Sequence, residues 1–252
     1  MKKLLCMGIL ALCTLLCACG GALPDPQEKD VLVAGVRGDA PGFGYIEVGG
    51  KEPEGYEVDI AKAIAQKLDK EIEFRIMTDS SREPSLLDGE VDMVVAVYTI
   101  TKEREERMAF SQPYYTDNLV FMVKEASGIL ALEGLAGKKV ATAVGVTPAE
   151  EIDAVLEQGG VQAEVVLYDT FSNAAKAYNE GGIDALFMDE SVMHGYLGEG
   201  DMLLDSKFSP QELGIAMRKE NKQFIQKVEE ILAELDETGE LAAMRVSWTL
   251  EG

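Results

Sequence analysis

Short apolar segments alternate with amphipathic stretches along this chain, and the alternation runs through once and then starts again. Val31 to Gly35 reads as a buried strand, and Val58, Ala61, Ile64, Ala65 and Leu68 recur at helical spacing, so a helix is predicted over residues 58–68. Ile72 to Ile76 alternates as a strand, a short helix is expected around Leu86 and Leu87, and Val91 to Val97 reads as a second apolar strand. Such βαβ rhythm implies a mainly parallel sheet covered by helices, because parallel neighbours need a long crossover. The second round predicts strands at 139–144, 165–167 and 183–188, with a helix over 172–178. Thr147-Pro148-Ala149-Glu150 opens a further helix, with Thr147 as N-cap, Pro148 at the first helical position and Glu150 closing a capping box. A long amphipathic helix runs from Phe224 to Leu235, and a shorter one surrounds Leu241, Met244 and Trp248. Two βα sets of similar size predict two α/β lobes, with a ligand crevice at the carboxyl ends of their strands.

The first thirty residues have a different character. Lys2 and Lys3 precede an apolar run, Leu4 to Leu16, that is too short to span a bilayer. Leu16-Cys17-Ala18-Cys19-Gly20 resembles a bacterial lipobox, which implies that residues 1–18 are a leader and that Cys19 is acylated. All four cysteines lie here (Cys6, Cys13, Cys17 and Cys19), so the body is expected to form no internal disulfide. Residues 19–30 read as a flexible tether to the membrane. The net charge of −22 excludes a general affinity for nucleic acid or anionic lipid, and any anionic ligand needs a local Arg or Lys cluster.

Several chemistries are missing from the sequence. The only histidine is His194, and no nucleophile-elbow sequence accompanies it. There is no Walker-type loop, CxxC pair or HExxH helix, and the glycines of GVRGDAPGFG do not match the dinucleotide fingerprint. No enzyme activity, cofactor or metal is expected.

The most specific segment runs from Val91 to Tyr115, VDMVVAVYTITKEREERMAFSQPYY. A strand delivers Tyr98 and Thr99 to its carboxyl end, and Thr101 opens a helix with Arg104 in its first turn. Hydroxyl and N–H donors beside a guanidinium suit a carboxylate, which Arg binds through both oxygens. From the residues alone, pairing of Arg104 with Glu103, Glu105 or Glu106 is an equal alternative.

The segment resembles the signature of the family-3 extracellular solute-binding proteins, which serve polar amino-acid ABC importers. The similarity extends over the chain from GVRGDAPGFGY and GYEVDIAKAIAQKL to the last helix. It implies a two-lobed periplasmic-binding-protein fold of type II with a two-stranded hinge. Lobe 1 would comprise residues 31–116 and 214–252, and lobe 2 residues 117–213. It also implies that Arg104 and Thr99 hold the ligand α-carboxylate, helped by Thr147 and its helix N-terminus in AVGVTPAEE, and that Asp189 of IDALFMDESVMHGY takes the α-ammonium. Val97 and Val146 stand where the family commonly has small or hydroxyl residues.

Arg37 and Arg82 match positions where glutamate- and aspartate-binding relatives place cations for the side-chain carboxylate. Arg37, Arg82 and Arg104 against Asp189 leave two positive charges in excess, which favours glutamate or aspartate. In the alternative, Arg82 pairs with Glu83 or Asp79 on the surface, Arg37 points to solvent, and the ligand is glutamine. A cyclohexadienyl dehydratase-like enzyme and a detached sensor are the rival functions; the first needs a cleft acid, the second a signalling partner. The expected partners are a small amino acid and the membrane subunits of an ABC permease, and the chain is expected to be a monomer outside the cytoplasm, anchored at Cys19.

Overall fold

The computed structural model describes residues 23–250, so the expected leader and Cys19 lie outside the described residues. Strand β1 (Val31–Val36) leads into a hairpin of β2 (Asp39–Ala40) and β3 (Gly44–Tyr45), and helix α1 (Tyr56–Lys67) crosses back to β4 (Glu71–Ile76). Helix α2 (Arg82–Leu87) then precedes β5 (Met93–Val94), and α3 (Lys102–Arg107) precedes β6 (Ala109–Phe110). The long strand β7 (Tyr115–Lys124) begins the second lobe. There follow β8 (Lys139–Ala143), α4 (Thr147–Gln158), β9 (Glu164–Tyr168), α5 (Phe171–Asn179), β10 (Ala185–Asp189), α6 (Glu190–His194), β11 (Asp201–Leu203) and β12 (Phe208–Leu213). The chain ends with β13 (Ala216–Met217), α7 (Lys222–Glu237) and α8 (Glu240–Ser247).

One sheet has the order β4-β1-β5-β13-β6 and the other β11-β7-β10-β8-β9, with β12 on β7. The parallel pairs are those the βαβ rhythm predicts: β1 with β4 and β5, and β8 with β9 and β10. Both sheets are nevertheless mixed, because strands that follow a passage between lobes, such as β7 and β13, run antiparallel to their neighbours. Two such passages join the lobes, and β7 and β12 pair beside them, Tyr115 opposite Leu213 and Asp117 opposite Gln211. Gly214 and Ile215 separate the end of β12 from β13.

Apolar periodicity sets the packing. α1 buries Tyr56, Ile60, Ala61, Ile64 and Ala65, and α7 buries Phe224, Val228, Ile231, Leu232 and Leu235 in the same core. Burying each large apolar side chain contributes about 1.5–3 kcal/mol, which outweighs helix propensity as the reason these segments stay helical. In the second lobe Phe121 stacks on Phe187 with ring centroids 4.3 Å apart. Gly55 starts α1 at φ 137°, where a Cβ would lie 2.1 Å from the Phe43 carbonyl oxygen, so only glycine fits that turn.

Two expectations need correction. The end of the tether is docked: Pro26 is buried in a single 3₁₀ turn capped by Asp25, and Lys29 pairs with buried Asp92 at 2.6 Å. The strand expected over Val91 to Val97 pairs only at Met93 and Val94, because Val97 takes φ 47° and turns the chain. A β-branched residue in that region costs about 1–3 kcal/mol and needs its surroundings to hold it. Glu57 of α1 supplies the hold, accepting the Val97 N–H at 2.6 Å.

Candidate functional site

The turn at Val97 brings the first group of predicted residues together. It places Tyr98 and Thr99 beyond β5, and Thr101 caps α3 by accepting the Arg104 N–H at 3.2 Å, as its position predicts. Arg104 is buried, and its Nη1 donates to the Thr99 carbonyl at 2.9 Å and to the Thr147 hydroxyl at 3.0 Å. Its Nη2 reaches Glu150 at 3.3 Å. Thr99 therefore contributes its carbonyl to Arg104, whereas the family resemblance assigned it a role toward the ligand.

Thr147 is a correction. Val146 is the N-cap of α4, Thr147 and Pro148 are its first two residues, and no capping box forms. The reason lies across the cleft: the Thr147 hydroxyl and the Glu150 carboxylate are both engaged by Arg104 of the other lobe. Neither is left to cap its own helix.

Arg37 and Arg82 are each only 1% exposed, which removes the reading that leaves them on the surface. Neither is unpaired. Asp79, also buried, accepts from Arg37 Nη1 and lies 3.3 Å from Arg82 Nη2. Arg37 donates from Nε to Asp39 at 2.7 Å, while Arg82 donates to the carbonyls of Ala96, Val97 and, in the other lobe, Gly145 at 2.8–2.9 Å. Burial lowers the pKa of Arg82, with Arg37 and Arg104 adding to the effect against Asp79. Burial acts in the same direction on Arg37, but Asp79 and Asp39 outweigh it and raise its pKa. The Tyr98 ring lies beneath both neighbouring guanidiniums, 4.4 Å from Arg82 and 4.8 Å from Arg104.

This overturns the charge count. Asp39 and Asp79 pair with Arg37 and Arg82, so the two positive charges counted in excess are already matched within lobe 1. Asp79 stands three residues before Arg82, a spacing that on a short helix reads as a surface pair, and only the fold buries it.

Asp189 sits at the end of β10 as the N-cap of α6, 2% exposed, and its Oδ1 has no hydrogen-bond partner among the described residues. Burial pushes its pKa up to about 8, with the Asp117 carboxylate adding to the rise and Arg82 and Arg37 opposing it. Further bonds cross the cleft at its rim: Ser172 Oγ donates to Asp39 at 3.2 Å, and the Tyr196 hydroxyl donates to the Asp39 carbonyl. All six predicted residues are thus buried, Arg37, Arg82, Thr99 and Arg104 in lobe 1 and Thr147 and Asp189 in lobe 2, with the lobes in contact. Sequence reasoning missed Asp39 and Glu57; it named Asp79 only as a surface partner of Arg82, Glu150 only as a capping residue, and Tyr98 without a role beside the guanidiniums. A guanidinium cluster at the carboxyl ends of strands, with a buried carboxylate from a second lobe whose Oδ1 has no partner among the described residues, can hold both charges of a zwitterion.

A two-lobed α/β molecule with this cleft is a binding protein of the clamp type. Residues 32–251 match the model of the bacterial extracellular solute-binding proteins, family 3, and the chain belongs to that family. It is 29% identical to the ABC transporter glutamine-binding protein GlnH of Bacillus subtilis over 100% of this chain and 98% of that one. It is 30% identical to the arginine-binding extracellular protein ArtP of the same organism over 98% of each. Among solved structures, an ancestral arginine-binding protein bound to glutamine matches with a TM-score of 0.81 and 33% identity, covering 88% of this chain and 99% of that one. The named relatives are transporter binding proteins, not enzymes.

Proposed function

We propose that this chain is the extracytoplasmic binding component of an amino-acid ABC importer, and that it captures a polar α-amino acid by closure of its two lobes. The observation that supports the reading is a buried charge of each sign on the two lobes, Arg104 bonded across to Thr147 and Asp189 with its Oδ1 unpartnered among the described residues; in this reading Arg104 receives the α-carboxylate and Asp189 the α-ammonium. Ligand that touches both lobes stabilises the closed state, since only differential affinity shifts such an equilibrium. Thr99 and Thr147 line the carboxylate end, and the closed form docks on permease subunits as a monomer.

The side chain of the ligand points to Arg37 and Arg82. Their burial supports an acidic ligand, glutamate or aspartate, because each guanidinium reaches a carboxylate only by desolvation. Asp79 favours glutamine instead: it already neutralises both guanidiniums, and its buried Oδ2 has no partner among the described residues, so it can accept from a carboxamide N–H. A thermal-shift screen of the common amino acids decides. Ligand at about a thousand times its Kd adds about 4 kcal/mol, so the true ligand gives a large shift. A shift with glutamine and none with glutamate or aspartate removes the acidic reading, and no shift with any amino acid removes the binding reading itself.

Residues 1–18 act as a leader in this reading, and acylated Cys19 anchors the protein to the outer face of the cell membrane. Cys19→Ala then moves the protein from the membrane fraction to the medium or periplasm; retention after a carbonate wash refutes the anchor.

A further inference from the structure

A second buried carboxylate acts on Asp189. Asp117 lies on β7 at the passage between lobes, only 4% exposed, and takes no part in the reading above. In the antiparallel register of β7 and β10, Asp189 is opposite Leu119. Asp117 lies two residues before Leu119 on β7, where β10 has ended and α6 begins. The hydrogen bonds agree: Asp117 Oδ2 accepts the Ser191 N–H at 3.2 Å and the Ser191 Oγ–H, and Oδ1 accepts the Asn118 N–H at 2.8 Å. Asp117 therefore holds the first turn of α6, the helix that Asp189 begins as N-cap. Gln211 pairs with Asp117 from the other flank and is also buried, and its Oε1, like Asp189 Oδ1, lacks a partner among the described residues.

We propose that Asp117 is a positioning residue of the ammonium subsite: it fixes the turn that carries Asp189 and sets a second negative charge beside it. The proposal rests on the assignment of Asp189 to the ligand ammonium. Its consequence is a proton switch. Two neighbouring buried carboxylates disfavour joint ionisation, so buried Asp189 holds its proton above the ordinary carboxylate range in the ligand-free protein with its lobes in contact, and an ammonium bound beside it displaces that proton. The raised pKa of Asp189, to about 8, has burial as its main cause and Asp117 as the next, and the pKa of Asp117 is itself raised by burial.

The charged groups around the pair are few. Arg82 and Arg37 act on Asp189 from lobe 1, and Glu190 acts on Asp117 from α6. Behind the hinge a cavity of about 670 Å³ is lined by Asp117, Ser191 and the titratable Tyr115, His194, Lys207 and Arg245. Lys207 is committed to Glu190 at 2.6 Å. The sign of the stability effect follows. The folded protein binds the Asp189 proton more tightly than the unfolded chain does, so the ligand-free protein loses stability as pH rises from the ordinary carboxylate range toward about 8.

The test is a carboxyl-carbon NMR titration of the ligand-free protein, with the Asp189 signal assigned through Asp189→Asn. The parent midpoint is expected near 8, Asp117→Asn is expected to lower it by about one pH unit or more, and Ser191→Ala, which keeps the charge of Asp117, is expected to leave it in place. A parent midpoint in the ordinary carboxylate range, an unmoved midpoint in Asp117→Asn, or an equal shift in Ser191→Ala overturns the proposal. Asp117→Ser serves as the second charge-removing variant if Asp117→Asn does not fold. Calorimetry with L-glutamine, L-glutamate and L-arginine at pH 6 and pH 8 separates the two ideas. Parent affinity should strengthen toward pH 8 with proton release, and in Asp117→Asn the dependence should flatten. Asp189→Asn with undiminished affinity for all three removes the ammonium assignment, and with it the functional role of Asp117, whatever the titration midpoints are.

Discussion

Arg82 and Arg104 lie over the same tyrosine ring and are both buried, yet they are held in different ways. Arg82 is anchored chiefly in its own lobe, by the carbonyls of Asp79, Ala96 and Val97 and by the Asp79 carboxylate. Only its bond to the Gly145 carbonyl crosses the cleft. Arg104 has one anchor at home, the Thr99 carbonyl, and spends its remaining contacts on Thr147 and Glu150 of the opposite lobe. A guanidinium saturated by fixed acceptors is part of the wall, because exchanging its partners for a ligand gains little. One whose partners move away when the lobes part is a receptor. The two arginines are thus equivalent in burial and different in availability, and it is on availability that the proposed function assigns Arg104 to the ligand.

Three substitutions can break or sharpen this contrast. Arg82→Ala should give the largest effect, and on stability: removing one member of a buried charge cluster costs about 3–5 kcal/mol, since Asp79 keeps only Arg37 and the carbonyls of Ala96 and Val97 lose their donor. Chemical denaturation measures it, and a loss below about 1 kcal/mol shows that Arg82 is not part of the wall. Arg104→Ala should spare stability by comparison and act on binding. Losing one partner of a desolvated ion pair costs about 2–5 kcal/mol, or roughly thirty- to several-thousand-fold in Kd at about 1.4 kcal/mol per decade. A calorimetric loss below about threefold removes Arg104 from the site. Asp79→Asn should be the mildest. It releases one positive charge at the Arg37–Arg82 end, and the ratio of affinities for glutamate over glutamine should rise by about tenfold, or ~1.4 kcal/mol. An unchanged ratio shows that the ligand side chain does not reach Asp79.

Much of the fold is legible because its signals are local and periodic. The expected helices over 58–68 and 224–235 differ from α1 and α7 by two residues at each end or fewer, since one apolar face both marks and stabilises an amphipathic helix. β4 and β9 lie within a residue of their expected bounds for the same reason. Where a long-range contact decides, local pattern misleads. Val91 to Val97 is apolar enough for a full strand, but the bond from Val97 to Glu57, forty residues earlier, turns the chain out of the sheet. Thr147 has the sequence of an N-cap and is diverted by an arginine from the other lobe. The tether reads as polar and irregular, yet Lys29 finds Asp92 and its last residues dock.

The sequence by itself determined the two α/β sets, the resemblance that marks the family, and the identity of six residues that the fold buries. Residue types and spacing carry that information, because strand ends and helix starts deliver side chains to predictable places. Only the tertiary structure decided how the charges balance. Asp79 between two arginines, Asp39 at the rim, and Asp117 beside Asp189 are pairings made by packing distant segments together. Interaction energy between charges depends on separation and on burial, and neither quantity is written in the order of the residues.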